Sequence, residues 1–269
     1  MTDGRSLKGQ VALVTGGSSG IGRGVALALA KAGAEVAINY VGAREGADEV
    51  ADEIEKAGGK AHLFSADVSR EEEVLAMFDA LCKECGTLDI LINNAGIQSD
   101  APLIDMSLEQ WNRVIGINLT GQFLCARSAI REFLRRGMRK EVSCDLGKIV
   151  CMSSVHQVIP WATHTNYAAS KGGIMMMMES MAQEHAQDRI RINAICPGAI
   201  RTPINTEAWD TPEAYQKLLK VIPCGRIGEV EDLGKMSSWL VSDEASYIHG
   251  ASLFIDGGMT LFPGFTTNG

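Results

Sequence analysis

Short apolar runs, many of them β-branched, alternate with longer amphipathic stretches along the whole chain. Seven runs have the nearly continuous hydrophobicity that is typical of strands buried on both faces of a parallel sheet. They span residues 11–15, 36–40, 61–68, 88–96, 147–154, 190–198 and 252–258. Helical spacing of apolar residues predicts helices over 21–33, 45–57, 70–85, 108–136, 168–187 and 229–242. The alternation predicts an α/β fold with a mostly seven-stranded parallel sheet, doubly wound, with helices on both faces.

Two segments interrupt this alternation without dividing the chain. Residues 137–147 are mixed and charged, and we expect a surface loop there. Residues 199–224 contain three prolines and a short helical pattern after a predicted strand. A long excursion at that position is typical of a substrate lid in α/β enzymes. Since no Pro- or Ser-rich linker and no repeat is present, residues 1–269 are expected to form one domain.

Charge and composition narrow the class of protein. The chain has 269 residues, and 25 Lys and Arg against 33 Asp and Glu give a net charge of −8. This balance argues against a general nucleic-acid-binding surface. No apolar run is long enough to span a membrane, and the first ten residues lack the apolar core of a secretory signal. We therefore expect a cytoplasmic protein.

The cysteines and histidines do not form a recognisable metal motif. Seven cysteines are scattered through predicted strands and helices, which suits a reducing compartment. Cys82 and Cys85 form one C-x-x-C, but no second pair follows at zinc-ribbon spacing. The five histidines are not grouped. The sequence predicts no metal site.

A glycine-rich turn joins the first predicted strand to the first helix. In "TGGSSGIGRG", Gly16, Gly20 and Gly22 have G-x-x-x-G-x-G spacing. Glycines at such a turn let the backbone approach a pyrophosphate, which then lies over the helix N-terminus. Between a strand and a helix this pattern favours binding of a dinucleotide on a Rossmann-type domain.

A tyrosine and a lysine lie one helical turn apart in "NYAASKGG". Residues i and i+4 share a face of a helix, so Lys171 can lie beside Tyr167. A tyrosine has a pKa near 10, and a neighbouring cation favours the phenolate. We expect Lys171 to lower the pKa of Tyr167 and make its hydroxyl a general acid or base.

Taken together, the motifs resemble those of the short-chain dehydrogenases/reductases over nearly the whole chain. The glycine pattern, "NNAG" at 93–96, Asn118, Ser154, "YAASK" at 167–171 and "PG" at 197–198 occur in that family's order. The resemblance implies hydride transfer between a carbinol carbon and nicotinamide, with Tyr167 moving the proton. It further implies that Lys171 holds the nicotinamide ribose, that Ser154 bonds the reacting oxygen and that Asn118 positions a water.

The resemblance also implies a cofactor site. Asp67 would contact the adenine, and the segment around Ile200 and Thr202 would meet the carboxamide. The complete set of expected cofactor-binding residues is Gly16, Ser18, Ser19, Gly20, Ile21, Gly22, Asn39, Tyr40, Arg44, Asp67, Val68, Asn94, Ala95, Gly96, Tyr167, Lys171, Pro197, Gly198, Ile200 and Thr202.

The end of the second strand bears on the choice of cofactor. An acid there normally binds the ribose 2′-hydroxyl of NAD and repels a 2′-phosphate. Here the strand ends with Asn39 and Tyr40, and the next acid is Glu45. Arg44 could partner a phosphate or could be a solvated charge. NADP is favoured over NAD, and dual use remains open.

Within the family, the chain resembles the bacterial glucose 1-dehydrogenases in "SSVHQVIPW" (153–161) and in its tail. That resemblance implies oxidation of C1 of an aldose to the lactone, with Gln98, Ser154, His156, Trp161 and Tyr167 as substrate contacts. The chain departs from that group at Gln98, at 162–165 and in the loop at 137–147, positions expected to border the pocket. The hydrogen-bonding side chains between Ser154 and Tyr167 favour a sugar.

Two alternatives remain open. A 3-oxoacyl thioester reductase would call for a basic entrance, for which the only candidate is "RRGMRK" at 135–140. A non-catalytic cofactor sensor would be expected to lack part of the set Asn118, Ser154, Tyr167 and Lys171, all of which are present.

The four methionines of "GIMMMMES" (173–180) cannot share one helix face, and by resemblance this helix packs against a second copy in a homotetramer.

Overall fold

The computed structural model describes residues 6–261, and its centre is one seven-stranded sheet in which every pairing is parallel. The strand order is β3-β2-β1-β4-β5-β6-β7. The strands are β1 Val11–Val14, β2 Glu35–Tyr40, β3 Lys60–Ser65, β4 Ile90–Asn93, β5 Gly147–Met152, β6 Ile190–Pro197 and β7 Ser252–Ile255. The order reverses between β1 and β4, and ligands of such sheets bind beyond the carboxyl ends of the strands at that point.

Helices cover both faces of the sheet, as the sequence pattern predicts. They are α1 Gly20–Lys31, α2 Glu45–Lys56, α3 Glu71–Cys85, α4 Leu108–Ile115, α5 Gly121–Arg136, α6 Thr165–His185, α7 Pro212–Leu219 and α8 Val230–Leu240. Shorter 3₁₀ turns span 155–157, 203–208 and 243–245. The doubly wound, single-domain prediction is confirmed. No helix within residues 6–261 is long and apolar enough to cross a membrane.

Alternate residues of each strand enter two separate cores. Leu13 and Leu91 point to the face covered by α3, α5 and α6, while Val14 and Ile92 point to the face covered by α1, α2 and α8. All four residues of β1 are buried. Burial on both faces explains why the strands read as continuous apolar runs rather than as alternating ones.

The helix predicted over 108–136 is interrupted. A π-helical turn spans Gly116–Thr120 between α4 and α5. Its central residue, Asn118, is fully buried and pairs through both side-chain atoms with the backbone of Ile97. This non-local pairing fixes an inward-pointing amide that helix periodicity cannot reveal, and such bulges are frequent at functional sites.

The loop at 137–147 does not border the cleft, contrary to expectation. Arg136 and Arg139 flank and enter it and bind Asp89, at 3.0 and 2.8 Å. Asp89 precedes β4, so these contacts lie at the amino edge of the sheet, opposite the strand ends that open to the cleft. The basic run at 135–140 therefore offers no basic entrance to the cleft.

Candidate active site

The turn between β1 and α1 is shaped so closely that its glycines are required. Gly16 and Gly20 have positive φ angles of 60° and 50°. A Cβ on Gly22 would lie 2.1 Å from the carbonyl oxygen of Gly16 and 2.6 Å from Nδ2 of Asn94. Ser19 precedes α1 without a side-chain cap, so the helix N-terminus stays open toward the cleft. This cradle fits a pyrophosphate.

Two buried amides hold the cradle in place. Oδ1 of Asn39 accepts from the backbone N–H of Gly16 at 3.2 Å, and its Nδ2 donates to the carbonyl of Ala66 at 3.0 Å. Asn94 Nδ2 donates to the carbonyls of Thr15 and Gly16 at 3.0 and 3.2 Å. Asn39 is 2% exposed. Both ends of its side-chain amide are thus hydrogen-bonded within the protein.

Beyond the cradle lies a cleft of about 1530 Å³ at the carboxyl ends of the strands. It is lined by most of the residues expected at a cofactor site: Gly16, Ser18, Ser19, Gly20, Ile21, Gly22, Asn39, Tyr40, Asp67, Val68, Asn94, Ala95, Gly96, Tyr167, Lys171, Pro197, Gly198, Ile200 and Thr202. Arg44 does not line it, and its Nε donates to Asp48 at 2.9 Å.

Asp67 lies at the edge of the cleft after β3. Its Oδ1 accepts from the N–H and the hydroxyl of Ser69 at 2.9 and 2.7 Å. One carboxylate oxygen is thus used locally to shape the loop, while the residue still faces the cavity beside Val68. This position fits a contact to the adenine end of a dinucleotide.

At the other end of the cleft, Ser154, Tyr167 and Gln98 meet. The hydroxyl of Tyr167 is hydrogen-bonded by Ser154 and Gln98. The Oγ of the neighbouring Ser153 instead donates to the backbone carbonyl of Lys171 at 3.4 Å, which agrees with the choice of Ser154. These three residues lie on three separate segments, after β4, after β5 and on α6, and the fold brings their hydrogen-bonding groups together.

Lys171 does not act on Tyr167 as the sequence suggests. Its Nζ donates to the carbonyl of Met152 at 3.0 Å and lies 5.4 Å from the centroid of the Tyr167 ring. Burial lowers the pKa of Lys171 to about 8. Burial also raises the pKa of Tyr167, against the opposing effect of the bonds from Ser154 and Gln98. In the chain without cofactor the net shift of the Tyr167 pKa is therefore upward, because burial outweighs the hydrogen bonds.

Asn118 does not line the cleft. Besides Ile97, its Nδ2 donates to the hydroxyl of Ser170 at 3.2 Å, and Ser170 in turn donates to the carbonyl of Tyr167 at 2.7 Å. Asn118 thus ties the π-helical turn to α6, the helix that carries Tyr167 and Lys171. This contact positions the helix, whereas the expected role in holding a water has no direct support.

The aromatic side chains after β5 form a stack at the rim of the cleft. Trp161 lies between His164, at 3.5 Å between centroids, and His156, at 4.2 Å. Its edge points at the Tyr167 ring, 6.3 Å away. His156 and Trp161 line the cleft as expected, and His164 does not.

Most hydrogen-bonding side chains in this segment are occupied within the protein. His156 Nδ1 contacts the carbonyl of Ile159 at 3.0 Å, and His164 Nε2 lies 3.0 Å from a carboxylate oxygen of Asp100. Nδ2 of Asn166 donates to the carbonyl of Ser99 at 2.9 Å. Residues 162–165 do not border the cleft. The polar surface that the sequence suggested for a sugar is therefore mostly used to brace the loop.

Part of the cleft lining is apolar and is called the apolar wall, although Asn205 and Lys220 from the segment 199–224 also line the cleft. Sequence reasoning missed most of its residues: Ile97, Ile159, Ile204, Ala208, Leu218, Val221, Met259 and Leu261. Several come from the 3₁₀ turn at 203–208 and from α7, within the segment 199–224. The exposed Ile204 and Val221 lie in that proline-containing segment, and apolar residues in a surface excursion are the signal that could have identified them.

Comparisons with known proteins agree with this geometry. A family model described as enoyl-(acyl carrier protein) reductase matches residues 16–260. The chain belongs to the short-chain dehydrogenase/reductase family of NAD(P)-dependent oxidoreductases, which confirms the resemblance seen in the sequence. It is 47% identical to 3beta-hydroxysteroid dehydrogenase 1 of Eggerthella lenta, over 96% of this chain and 97% of that protein.

The names of two further relatives refer to a sugar and to a sugar acid. Glucose 1-dehydrogenase 2 of Bacillus subtilis is 43% identical over 96% of this chain and 98% of that protein. The structure of a gluconate 5-dehydrogenase from Burkholderia cenocepacia, in complex with NADP and tartrate, matches with a TM-score of 0.88 at 34% identity, covering 96% of this chain and 98% of that one. The relatives thus share the oxidoreductase class and differ in substrate.

Proposed function

We propose that this protein is an NAD(P)-dependent dehydrogenase that oxidises a secondary carbinol on a large apolar ring system, of the 3β-hydroxysteroid class, or reduces the corresponding ketone. The observation that carries this proposal is the apolar wall of the cleft that Tyr167 also lines. A flat aliphatic ring system would bury that wall, and each Å² of apolar surface removed from water contributes about 25 cal/mol. The 47% identical steroid dehydrogenase supports the same class.

In this proposal Tyr167 moves the proton of the carbinol, and Ser154 and Gln98 orient the reacting oxygen. The bound nicotinamide cofactor supplies or accepts the hydride. Lys171 lies beneath the Tyr167 ring, in reach of a ribose in the same cleft. Both hydrogen bonds to the tyrosine hydroxyl lower its pKa, which partly offsets the effect of burial.

The cofactor preference is proposed as NADP with use of NAD. No carboxylate follows β2 before Glu45, which removes the usual repulsion of a 2′-phosphate. The relative solved with NADP supports the same view. Arg44 does not support this preference, because it does not line the cleft and its Nε donates to Asp48.

An aldose is the second candidate substrate. Gln98 lines the cleft beside Tyr167 and offers an amide to a sugar hydroxyl, and a glucose dehydrogenase is 43% identical. The thioester reductase is less favoured, since the basic run at 135–140 lies at the amino edge of the sheet.

A homotetramer is proposed from the surfaces of two helices. Met176 on α6 and Phe123 on α5 expose 58% and 43% of their area, while Met178 is buried in the core. The four methionines thus divide between core and surface as expected. Sedimentation equilibrium would give the mass of the assembly.

The substrate test is a panel with both cofactors: a 3β-hydroxysteroid, a set of aldoses and acetoacetyl thioester, with reduced cofactor followed by absorbance. Efficient turnover of the steroid and slow turnover of the aldoses are expected. The matched variants are Ile204→Ser in the apolar wall and Ile104→Ser, which is 93% exposed and outside the cleft. Ile204→Ser should raise KM for the steroid about tenfold, while Ile104→Ser should leave it unchanged. Rapid aldose oxidation with no steroid turnover would contradict the proposal.

A further inference from the structure

A mixed cluster of potential metal ligands lies at the amino edge of the sheet, far from the cleft. Glu35 begins β2, His62 lies in β3, and Cys85 is the last residue of α3. The register pairs Glu35 with Lys60 and Ala37 with His62, so the glutamate and the histidine share the sheet face on which α3 packs. One ligand atom from each of the three side chains lies within 4.8 Å of the others.

His62 lies between two carboxylates. Its Nε2 is 2.7 Å from Oε1 of Glu35, and its Nδ1 contacts Oε1 of Glu84. A neutral imidazole can donate to only one of two carboxylates, and the other nitrogen would then present its lone pair to an anion. A metal ion bound by both Nε2 and Glu35 would remove this conflict, once the two atoms separate from their direct 2.7 Å contact.

The arrangement matches the way proteins orient a ligating histidine. A histidine that binds a metal through one nitrogen usually donates the other N–H to a carboxylate. Here Glu84 occupies that position at Nδ1, which leaves Nε2, Glu35 and Cys85 to converge. Nitrogen, sulfur and carboxylate oxygen together suit Zn²⁺, whose tetrahedral donors are separated by about 3.3 to 3.8 Å. Small rotations of Glu35 and Cys85 would reach that spacing.

We propose that Glu35, His62 and Cys85 form a Zn²⁺ site, with Glu84 orienting the histidine and water as the fourth ligand. The site borders a groove of about 880 Å³ that Glu35, Lys60 and Cys85 line, which gives the ion an entry path. Lys60, which bonds Glu35 at 2.8 Å, is 61% exposed at its side chain and can turn into solvent. Burial, together with Glu35 and Glu84, raises the pKa of the Cys85 thiol to about 12 in the metal-free chain. Metal binding must therefore displace the thiol proton, which leaves to solvent. Oxidation states do not change.

Two other cysteines, Cys82 and Cys144, provide the control variants. Cys82 lies one turn before Cys85 and is also partly buried, but its sulfur contacts Glu132 rather than Glu35. Cys144 belongs to a second group, with Asp145 and Asp243. Substituting either residue leaves the proposed site intact, so C82S and C144S report whether a signal comes from Cys85.

The experiment is a Co²⁺ titration of the purified, chelator-treated full chain, which follows the thiolate-to-cobalt charge-transfer absorption, and then displacement by Zn²⁺. We expect one equivalent per chain in the wild type, C82S and C144S. C85S should lose the absorption, H62Q should bind at least about tenfold more weakly, and E84Q about 10- to 100-fold more weakly. Absorption that persists in C85S or disappears in C144S would overturn the proposal, as would equal affinity of H62Q and wild type. Thermal melting and turnover without metal verify that each variant folds.

Discussion

Replacing Lys171 with Met should stabilise the cofactor-free protein while it abolishes turnover. Lys171 is 4% exposed, and its Nζ has one hydrogen bond, to the carbonyl of Met152. Methionine has a similar length and no charge to desolvate. The buried charge of Lys171 is thus expected to lower the free energy of unfolding of the cofactor-free protein.

The magnitude follows from the pKa of the amine. Burial lowers the pKa of Lys171 from 10.5 to about 8. At 1.36 kcal/mol per pKa unit, holding the charged form in this site costs about 3 kcal/mol at neutral pH. The variant also loses the bond to Met152, which contributes about 1 kcal/mol. The net expectation is a gain of about 2 kcal/mol in the free energy of unfolding at pH 7.

The pH dependence identifies the cause. The folded-state pKa lies below the unfolded one, so between about pH 8 and 10.5 the unfolded chain holds more protons, and the stability of the wild type rises with pH through this window. The variant lacks this rise. Its advantage should be full below pH 8, and above pH 10.5 only the lost bond to Met152 remains, so the variant should be about 1 kcal/mol less stable there. Lys148, whose pKa burial also lowers to about 8, titrates in both proteins and cancels in the difference.

The assay is urea unfolding of both proteins at equal concentration, at pH 7, 9 and 10.5, because the assembly state affects apparent stability. A variant less stable than the wild type at pH 7, with a difference that does not change with pH, would refute the view that Lys171 is a desolvated cation.

Three other predictions concern the cleft. Tyr167→Phe should abolish turnover yet keep cofactor affinity, measured by fluorescence titration with reduced cofactor, because only the hydroxyl bonded by Ser154 and Gln98 is lost; normal turnover would exclude the assigned role. Gly22→Ala should weaken cofactor binding more than tenfold, since its Cβ would overlap the Gly16 carbonyl, whereas Gly172→Ala, whose Cβ meets nothing within 4 Å, serves as the control. Asn39→Asp should weaken the binding of NAD and NADP equally, because it removes the donor to the carbonyl of Ala66. Val41→Arg, at an exposed position of the cleft after β2, should instead shift kcat/KM toward NADP. Opposite selectivity effects at the two positions would show that residue 39 faces the ribose.

The fold was predictable because the information for it is local. A strand buried on both faces reads as a continuous apolar run, and β1 and β4 are buried at all four positions. The glycine turn was also predictable, since the close approach of Gly22 to Gly16 spans only six residues. The ends of strands were less predictable: within the run at 88–96 only Ile90–Asn93 form a strand, and residues 94–96 line the cleft.

The roles of several polar residues could not be predicted, because their partners are remote in sequence. Asn166 binds the carbonyl of Ser99, 67 residues away, and Asn39 binds that of Ala66, 27 residues away. Neither partner leaves a signal in the local pattern. Spacing placed Lys171 beside Tyr167 but gave no measure of burial, which decides the direction of both pKa shifts.

Contacts between side chains and remote backbone groups also help to distinguish a sugar substrate from a steroid substrate. Hydroxyl groups of a hexose that lie against Ile159, Ile204 and Val221 would have no partners there, and Nδ1 of His156 is already held by the carbonyl of Ile159. Each buried hydroxyl without a partner costs about 1 to 3 kcal/mol, so two of them would weaken transition-state binding by about 30-fold or more. A steroid has no such groups near its reacting carbon and gains from the same wall. Gln98 is the one cleft amide near Tyr167 that could reduce the penalty, and Gln98→Leu should therefore impair aldose turnover more than steroid turnover. If Gln98→Leu impairs both equally, the glutamine serves only the Tyr167 hydroxyl, and the apolar wall alone determines the substrate.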